Sequence, residues 1–383
     1  MANPVQVSPV RGGSDRAAFV NLPWTIYCQD PLWVPPLKSA VRTLLDVTKH
    51  PFYGGGAGAE IELFLARDGA AVVGRIAAIL NHAHNRFHDE QVAFFGFFEC
   101  VDRPAVAAEL LAAVERWAAD RRATAVLGPM NPSTNYECGL LVEGFDGSPV
   151  LMMTYNPDYY PRLVEAAGYA KTKDLYAYLS QVHGSNLDRL QRVAERTRSR
   201  TPGLSTRNVD LKDFDAEVRR IQHIYNSAWE DNWGFVPMSD DEIEWMARDL
   251  KPLVQPELLR FAFVYGEPVG FLLALPDWNP VLKDFDGSLA RHPLRALRHL
   301  VLTKAEDMEG LRLITLGIKR DYRKRGVEGV LFADSISAAL RLGYKWAEYS
   351  WILEDNELTK RAVRLMEGSL YKVYRVYKKA LVT

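Results

Sequence analysis

The chain has 383 residues, of which 48% are hydrophobic and 25% are charged, and its formal net charge is −1. This length predicts two domains rather than one, each with a sizeable core. A net charge so close to zero excludes a global field that would recruit nucleic acid or an acidic membrane, so any basic site must be local.

The three cysteines, Cys28, Cys100 and Cys138, are widely separated and show no metal-ligand spacing. This usage is typical of a reducing compartment. The N-terminus has no basic region followed by an apolar core, and no run of 18 apolar residues occurs. We therefore expect a cytoplasmic protein without a metal site, and the pattern leaves peripheral contact with the inner membrane open.

In the first half, residues 60–67 and 71–80 flank an Asp-Gly turn and predict a hairpin. His82, His84 and His88 follow, and we interpret them as a polar loop rather than a metal site. A strand over residues 92–100 then leads through Pro104, a favoured first helical residue, into a helix that ends near residue 120.

Residues 128–160 form a long segment without a regular period, and such segments in a compact domain are functional or disordered. Its aromatic and apolar content argues against disorder. We interpret it as a wall or lid of an acceptor pocket, or equally as a packed plug between domains. The candidate polar contacts to a substrate are Asn131, Asn135, Tyr136 and Glu137.

The predicted domain boundaries are 1–185 and 204–383, joined by a linker helix over residues 186–203. The arginines of that helix favour a solvated face over a phosphate or lipid headgroup site. Two helices follow, over residues 213–229 and 240–250. The segment between them holds Asp231, Asn232 and Trp233, which either contact a substrate or cover the edge of the core.

Strands over residues 259–265 and 269–274 predict a second hairpin. After it, residues 278–310 hold a helical pattern in which arginines and histidines alternate with leucines. An amphipathic basic helix of this kind suits a membrane surface or an acyl-chain gate. The alternative is a helix that covers the domain with its charges in water.

The most informative stretch begins with a strand over residues 313–318, followed by Arg323, Lys324, Arg325 and Gly326 and then a long apolar-periodic helix. A glycine turn that opens a helix presents free backbone N–H groups and the positive end of the helix dipole, so it can hold phosphates. The alternative is a basic, solvated turn before an ordinary surface helix.

The next strand, residues 345–353, contains Glu348 in otherwise apolar and aromatic surroundings. A lone buried carboxylate is costly unless it is paired or its pKa is raised, so Glu348 is either a general base or one member of an ion pair. Tyr349 points to the opposite face and is the alternative proton carrier. Asn356 then caps a helix over residues 357–367, which Gly368 closes, and a last strand covers residues 370–381.

The two halves repeat one plan. Val73-Gly74 in the first hairpin corresponds to Val269-Gly270 in the second. In each half an asparagine, a helix and a glycine lead into the last strand, at Asn156 and Gly168 and again at Asn356 and Gly368. The first half lacks the phosphate turn, so we predict one cofactor site, in the second half.

The order of strand, Arg-x-x-Gly turn and helix resembles the acyl-CoA pyrophosphate loop of the GCN5-related N-acetyltransferase (GNAT) superfamily, whose pattern is Arg/Gln-x-x-Gly-x-Gly/Ala. Glu328 stands where that pattern has glycine or alanine. A carboxylate there stabilises the helix but repels a pyrophosphate unless it points away. The resemblance implies an α/β fold of two tandem GNAT-like domains, each a mixed, mostly antiparallel sheet flanked by helices.

The resemblance also implies roles for individual residues. Acyl-CoA would be the co-substrate, and a backbone N–H of the central strand would polarise its carbonyl. The helix over residues 357–367 lacks the tyrosine that often protonates the leaving thiolate in the superfamily, and the catalytic candidates here are Glu348 and Tyr349 of the apolar strand. The residues that would bind the cofactor are Leu316, Gly317, Ile318, Arg323, Lys324, Arg325, Gly326, Val327 and Asn356.

Over the whole chain, several runs resemble the tandem GNAT-like family that includes bacterial ceramide synthases: Gly128-Pro129, residues 139–146, Asn156-Pro157, residues 232–235 and residues 325–328. The implied activity is transfer of a long fatty acyl group from acyl-CoA to the amine of a sphingoid base. The alternatives are a non-catalytic module that binds acyl-CoA and a short-chain N-acetyltransferase that acts on a small amine or a protein lysine.

Overall fold

The computed structural model describes residues 5–54, 58–230 and 232–381, and within these ranges every side chain except those of residues 184–186, 189 and 300–302. The chain divides into two compact units. Unit 1 comprises residues 1–175, 279–297 and 372–383, and unit 2 comprises residues 176–278 and 298–371. This division differs from the boundaries predicted from the sequence, because two segments from the second half of the chain belong to unit 1.

In unit 1, five strands of the sheet run in the order β1-β2-β3-β4-β5. The first three pairings are antiparallel, and β4 and β5 are parallel. Its elements are β1 (Gln6–Pro9), α1 (Gly12–Ile26), α2 (Lys38–Leu44), β2 (Ala59–Asp68), β3 (Ala71–Asn81), α3 (His82–His88), β4 (Val92–Cys100), α4 (Pro104–Ala119), β5 (Ala125–Gly128), β6 (Met130–Asn131), β7 (Glu137–Cys138), β8 (Leu140–Glu143), α5 (Tyr160–Ala166) and the first half of β9 (Ala170–Gln181).

Unit 2 repeats this pattern with β10-β11-β12-β13-β14, again three antiparallel pairings followed by a parallel one. Its elements are α6 (Gly184–Arg200), β10 (Leu204–Asn208), α7 (Phe214–Trp229), α8 (Asp240–Leu250), β11 (Leu259–Val264), β12 (Glu267–Pro276), β13 (Gly310–Ile318), α11 (Val327–Arg341), β14 (Trp346–Leu353) and α12 (Glu357–Leu365). Between β12 and β13 lie α9 (Asn279–Lys283) and α10 (Pro293–Leu302), and β15 (Ser369–Ala380) ends the chain.

The equivalence of the two units extends to single hydrogen bonds. In unit 1, Gly74 is the register partner of Cys100, and the Val101 N–H donates to the Val73 carbonyl at 3.0 Å. In unit 2, Gly270 is the register partner of Ile318, and the Lys319 N–H donates to the Val269 carbonyl at 2.9 Å. The predicted tandem α/β fold, with mostly antiparallel sheets flanked by helices, is therefore confirmed.

The last strand completes unit 1. Residues 377–380 of β15 pair with β5, and residues 373–375 pair with β8, both antiparallel. The Lys372 ammonium is buried and donates to the carbonyls of Gly144 and Gly147 at 3.0 and 2.6 Å, which ties the turn after β8 to β15. The C-terminal strand was predicted correctly from its alternation, but its place in the first unit was not predicted.

Some local details differ from the sequence predictions. The left-handed residue after α12 is Glu367, with φ of 56°, rather than Gly368. Gly368 is required for another reason, because a Cβ there would lie 2.4 Å from the Val363 side chain. Asn156 does not begin a helix: its side chain bonds the N–H and the carbonyl of Leu141 at 2.7 and 3.1 Å. Among the described residues, no helix is long and apolar enough to cross a membrane.

Candidate active site

The candidate site lies where β13 and β14 separate. Their parallel register pairs residues 310–313 with residues 346–349 and ends there. Beyond the last pair, β13 continues to Ile318 and β14 continues to Leu353, but these two ends do not pair with each other. A shift in the β12–β13 register marks a bulge just before Thr315, and bulges redirect a strand where pairing ends. The gap between the two strands can therefore receive an extended ligand on the free edge of β13.

The turn after β13 has the backbone geometry of an anion site. Gly326 is the N-cap of α11 with φ of 84°, a left-handed conformation that favours glycine. The first N–H groups of α11 have no partner within the helix. A Cβ at Gly326 would lie 2.6 Å from the Thr197 hydroxyl of α6. The predicted linker helix is therefore packed against the turn as a structural part of unit 2.

The three basic residues of this turn differ in their contacts. The Arg323 guanidinium donates to the Ala228 carbonyl at 2.6 Å and to the Ile318 carbonyl at 3.4 Å, so it fixes the end of α7 to the end of β13. Lys324 is exposed, and the exposed Arg325 guanidinium lies 5.2 Å from the centre of the Tyr322 ring. Lys324 and Arg325 are therefore the side chains that can reach a phosphate.

The remaining predicted cofactor residues occupy varied positions. Leu316, Gly317 and Ile318 lie on the part of β13 that pairs with β12 but not with β14, and Val327 is buried in the first turn of α11. The Asn356 side chain accepts a hydrogen bond from the Thr359 N–H at 3.1 Å, so the predicted cap of α12 is confirmed. Glu328 is half-buried in the first turn of α11.

Glu348 is fully buried and belongs to a polar cluster within unit 2. One carboxylate oxygen accepts from the Ser350 hydroxyl at 2.5 Å, and the other accepts from the Tyr371 hydroxyl. The Arg312 guanidinium lies 3.7 Å from Glu348 and donates to the Ser350 hydroxyl at 2.9 Å. The ion pair offered above as one alternative for Glu348 is therefore present.

Tyr349 faces the other side of the sheet, as strand alternation predicts. Its hydroxyl lies 3.1 Å from the Ser180 hydroxyl. Burial raises the pKa of Tyr349 to about 12, so the phenol keeps its proton at neutral pH. Tyr349 can therefore donate a proton but is a poor base.

An apolar cleft lies beside Tyr349, between α11 and the sheet of unit 2. Its free volume is about 40 Å³, and it is partly open to solvent. Most of its wall is aliphatic, supplied by β12, β13 and α11: Leu272, Ala274, Leu311, Leu313, Ile336 and Ala339. None of these six residues was predicted to line a site, because each one also fits an ordinary core.

The predicted substrate residues of unit 1 are well ordered by local contacts. Asn131 and Glu137 are register partners in the two-stranded β6–β7 hairpin. The Asn131 side chain accepts from the Phe97 N–H at 2.6 Å, and the Tyr136 ring meets the His50 ring edge-on at 5.5 Å. The Asn135 N–H donates to the Ser133 hydroxyl at 3.2 Å. A role of these residues in binding a substrate stays a prediction.

In unit 2, Asn232 lies in a turn in which its N–H donates to the Trp229 carbonyl at 2.8 Å and its carbonyl accepts from the Phe235 N–H at 3.2 Å. Trp233 is half-buried next to it. Asp231 lies outside the described residues. The Trp229 ring covers Gly317, where a Cβ would lie 2.5 Å from it.

The sequence analysis missed Arg312, Ser350 and Tyr371. Ser350 could have been found, because it is two residues from Glu348 and so shares its face of the strand. Arg312 and Tyr371 depend on strand register, which the sequence did not reveal. Among the described residues, no group of three or more histidine, cysteine or acidic side chains is placed to hold a metal ion.

Comparison with known proteins identifies two full-length relatives, although no protein-family model matches the chain. A bacterial ceramide synthase from Caulobacter vibrioides is 34% identical over 382 residues, which covers 98% of each chain. Protein YghO from Escherichia coli is 30% identical over 374 residues, which covers 96% of this chain and 93% of the relative.

Solved structures agree on the fold. A tandem GNAT protein from the clavulanic acid biosynthesis pathway covers 99% of both chains with a TM-score of 0.56 and 12% identity. A GCN5-related N-acetyltransferase from Sphaerobacter thermophilus covers 100% of this chain and 98% of its own, with a TM-score of 0.50 and 14% identity. The chain therefore has the tandem GNAT fold, belongs to the family of the bacterial ceramide synthase and is an acyltransferase.

Proposed function

We propose that the protein transfers a long fatty acyl group from acyl-CoA to the amine of a sphingoid base. The observation that carries this proposal is the 34% identity to a protein named a bacterial ceramide synthase, over 98% of both chains. The site in unit 2 supports it, since a phosphate turn, a strand gap and an apolar cleft all adjoin α11.

In this proposal the pyrophosphate of acyl-CoA lies at the Gly326 turn, held by backbone N–H groups of α11 and by Lys324 and Arg325. The thioester lies in the gap beside residues 316–318 of β13. A backbone N–H there donates to the thioester carbonyl and stabilises the negative charge that develops on its oxygen. Asn131, Asn135, Tyr136, Glu137, Asn232 and Trp233 remain the proposed contacts to the amine substrate.

The reaction joins the amine nitrogen to the thioester carbon and breaks the carbon–sulfur bond. The nitrogen must lose a proton and the thiolate must gain one. Glu348 is buried, so it accepts the proton through Tyr371, whose half-exposed ring carries the hydroxyl that touches the carboxylate. Tyr349, which keeps its proton at neutral pH, is the proposed donor to the leaving thiolate.

The direct test incubates the purified full chain with a sphingoid base and either palmitoyl-CoA or acetyl-CoA, and measures the N-acylated product by mass spectrometry. We expect product with palmitoyl-CoA at a rate at least tenfold above that with acetyl-CoA. Thermal unfolding supplies an independent measure, because a ligand at 100 times its Kd adds about 2.7 kcal/mol of stability. Product from acetyl-CoA alone would assign the protein to short-chain transfer instead.

The role of Glu348 is tested with Glu348→Gln, which keeps the hydrogen-bonding shape and removes the base. Loss of a general base costs about 10²- to 10⁴-fold in kcat. The matched control is Glu357→Gln, an exposed carboxylate at the start of α12. Equal rates for both variants would remove Glu348 from the mechanism.

We also propose that residues 278–310 contact a membrane surface. Leu294 is 82% exposed, Leu297 is 57% exposed and Leu289 is 44% exposed, which is unusual for three leucines so close in sequence. The exposed Arg291 and Arg295 lie among them. This combination of apolar anchors and positive charge suits anionic lipid headgroups.

Sedimentation with phosphatidylglycerol vesicles tests this contact. We expect Leu294→Glu to release the protein into the supernatant, because a carboxylate replaces an apolar anchor and faces anionic lipid. Leu358→Glu is the control, since Leu358 is also exposed, at 49%, but lies on α12. If both variants sediment like the unmodified protein, this surface does not bind the membrane.

A further inference from the structure

We infer that the apolar cleft under α11 holds the hydrocarbon tail of the acyl donor and that its wall sets the chain length the protein accepts. This inference rests on the proposed function in one respect, that the donor is an acyl-CoA. It adds a binding site and the residues that determine chain-length specificity.

The wall of the cleft has the chemistry of an alkyl-chain site. Leu272, Leu311 and Ala339 line it and are buried, while Leu313 and Ile336 are only partly buried, as expected of side chains that border open space. The hydroxyls of Ser180 and Tyr349 lie 3.1 Å apart and satisfy each other. A ligand in contact with this wall therefore gains mainly by removing apolar surface from water.

The cleft is continuous in the fold with the proposed cofactor site. Ile336 is ten residues along α11 from Gly326, a distance of about 15 Å at 1.5 Å per residue. The sheet residues Leu313 and Tyr349 form the last register pair before β13 and β14 separate, and both line the cleft. A chain attached to a thioester in the strand gap thus meets the cleft at the closed end of that gap.

The polarity along α11 gives the direction. The Ser335 hydroxyl is buried and has no hydrogen-bond partner among the described residues. It lies one turn nearer to Gly326 than Ala339, which is wholly apolar. Along α11 the wall therefore offers a hydroxyl at the end nearer the phosphate turn, toward a thioester, and hydrocarbon at the other end.

The test measures Kd by titration of the full chain with CoA and with acyl-CoAs of 2, 8, 12 and 16 carbons, each below its micelle-forming concentration. Ile336→Trp narrows the cleft, and Leu313→Ala widens it. Leu340→Trp is the control, because Leu340 lies on the same helix, is also partly exposed and does not line the cleft.

We expect Ile336→Trp to leave the Kd of CoA unchanged and to weaken binding by about fourfold for each methylene that it excludes. Leu313→Ala is expected to shift the preference toward longer chains, and Leu340→Trp to change nothing. An equal loss for CoA and for every acyl-CoA would mean that the pantetheine arm occupies the cleft, and no loss at all would mean that the cleft is not used; either result overturns the inference.

These titrations do not depend on turnover. If the unmodified protein shows the expected dependence on chain length but acylates no sphingoid base, the proposed function fails while this inference stands. If it acylates the base and Ile336→Trp keeps the unmodified chain-length profile, the inference fails while the proposed function stands.

Discussion

The two units contain equivalent parallel strand pairs, β4–β5 in unit 1 and β13–β14 in unit 2. They differ at the point where the two strands of each pair separate. In unit 1 the space beside β4 is filled by the chain itself: a Cβ at Gly96 would lie 1.7 Å from the Met130 carbonyl oxygen, and Asn131 accepts from the Phe97 N–H. In unit 2, among the residues that the structure describes, residues 316–318 of β13 have no such neighbour strand on that edge. One unit thus fills this space with its own chain, and we propose that the other keeps it for a ligand.

A second contrast concerns charge. In unit 1, Arg75 and Glu99 are register partners, where unit 2 has Phe271 and Gly317. The Glu99 carboxylate accepts from Tyr27 and Tyr160 at 3.0 and 2.7 Å, and the Arg75 guanidinium lies 3.4 Å from it. Burial nonetheless raises the pKa of Glu99. A closed charge cluster therefore stands in unit 1 where unit 2 has an aromatic wall made by Trp229 and Phe271.

The largest expected effect comes from breaking these charge clusters. Arg75→Met should lower the free energy of unfolding by about 3–5 kcal/mol, because it leaves Glu99 buried without its cation. Arg312→Met should lower the free energy of unfolding by a similar amount, because it leaves Glu348 buried without its cation. It should also lower kcat. Urea unfolding and steady-state kinetics measure the two quantities.

The control for this pair is Arg11→Met, since the Arg11 side chain is 71% exposed and its pair with Glu62 should contribute about 0–1 kcal/mol. If Arg75→Met lowers kcat in the folded protein as strongly as Arg312→Met, then unit 1 takes part in catalysis and the contrast between scaffold and site is wrong.

Glycine substitutions in the two central strands test the closed gap directly. Gly96→Ala should destabilise the protein by about 3 kcal/mol, the upper end for overpacking, because the obstructing atom belongs to the backbone. Gly317→Ala meets the Trp229 ring, which can move, and should cost about 1–2 kcal/mol. Differential scanning calorimetry of the two variants gives this comparison. Equal losses of stability would mean that the gap beside β13 in unit 2 is filled as tightly as the space beside β4 in unit 1.

A smaller effect is expected at the ends of α11. Gly326 and Gly343 have nearly the same left-handed φ, 84° and 85°, but a Cβ at Gly343 meets nothing within 4 Å. Gly343→Ala should therefore lower the free energy of unfolding by only about 1–2 kcal/mol, the cost of holding an alanine in the left-handed conformation. Gly326→Ala adds a clash with Thr197 and should also weaken binding of CoA, measured by calorimetric titration. Unchanged CoA affinity would remove the turn from the proposed site.

The effect that is smallest at neutral pH, and that grows as the pH falls, is a dependence of stability on pH that arises in unit 1. Burial lowers the pKa of His50 and of His84, each to about 4, from the ordinary value near 6.5. The unfolded chain binds these protons first, so stability is fully present above pH 6.5 and decreases as pH falls toward 4. Unfolding midpoints at several pH values should show this slope, and the double variant His50→Gln/His84→Gln should flatten it. A slope that survives in the double variant would assign the acid sensitivity to other groups.

Patterns with a local cause were predictable from the sequence. The hairpins, α8 over Asp240–Leu250 and the repeat of one plan in both halves follow from periodicity, turn residues and caps. Glu348 stood out because a carboxylate is costly in an apolar strand. Gly326 stood out because a glycine before a helix can adopt a positive φ.

Register and long-range packing decided the rest. The sequence alone determined the fold class, the glycine turn that opens α11 and the residues that carry charge into buried strands, since these depend on residues close together in the chain. Only the tertiary structure placed Arg312, Ser350 and Tyr371 around Glu348, brought β15 into unit 1 and opened an apolar cleft under α11. These features arise where distant segments meet, and a leucine that lines a cleft has the same local pattern as one that fills a core.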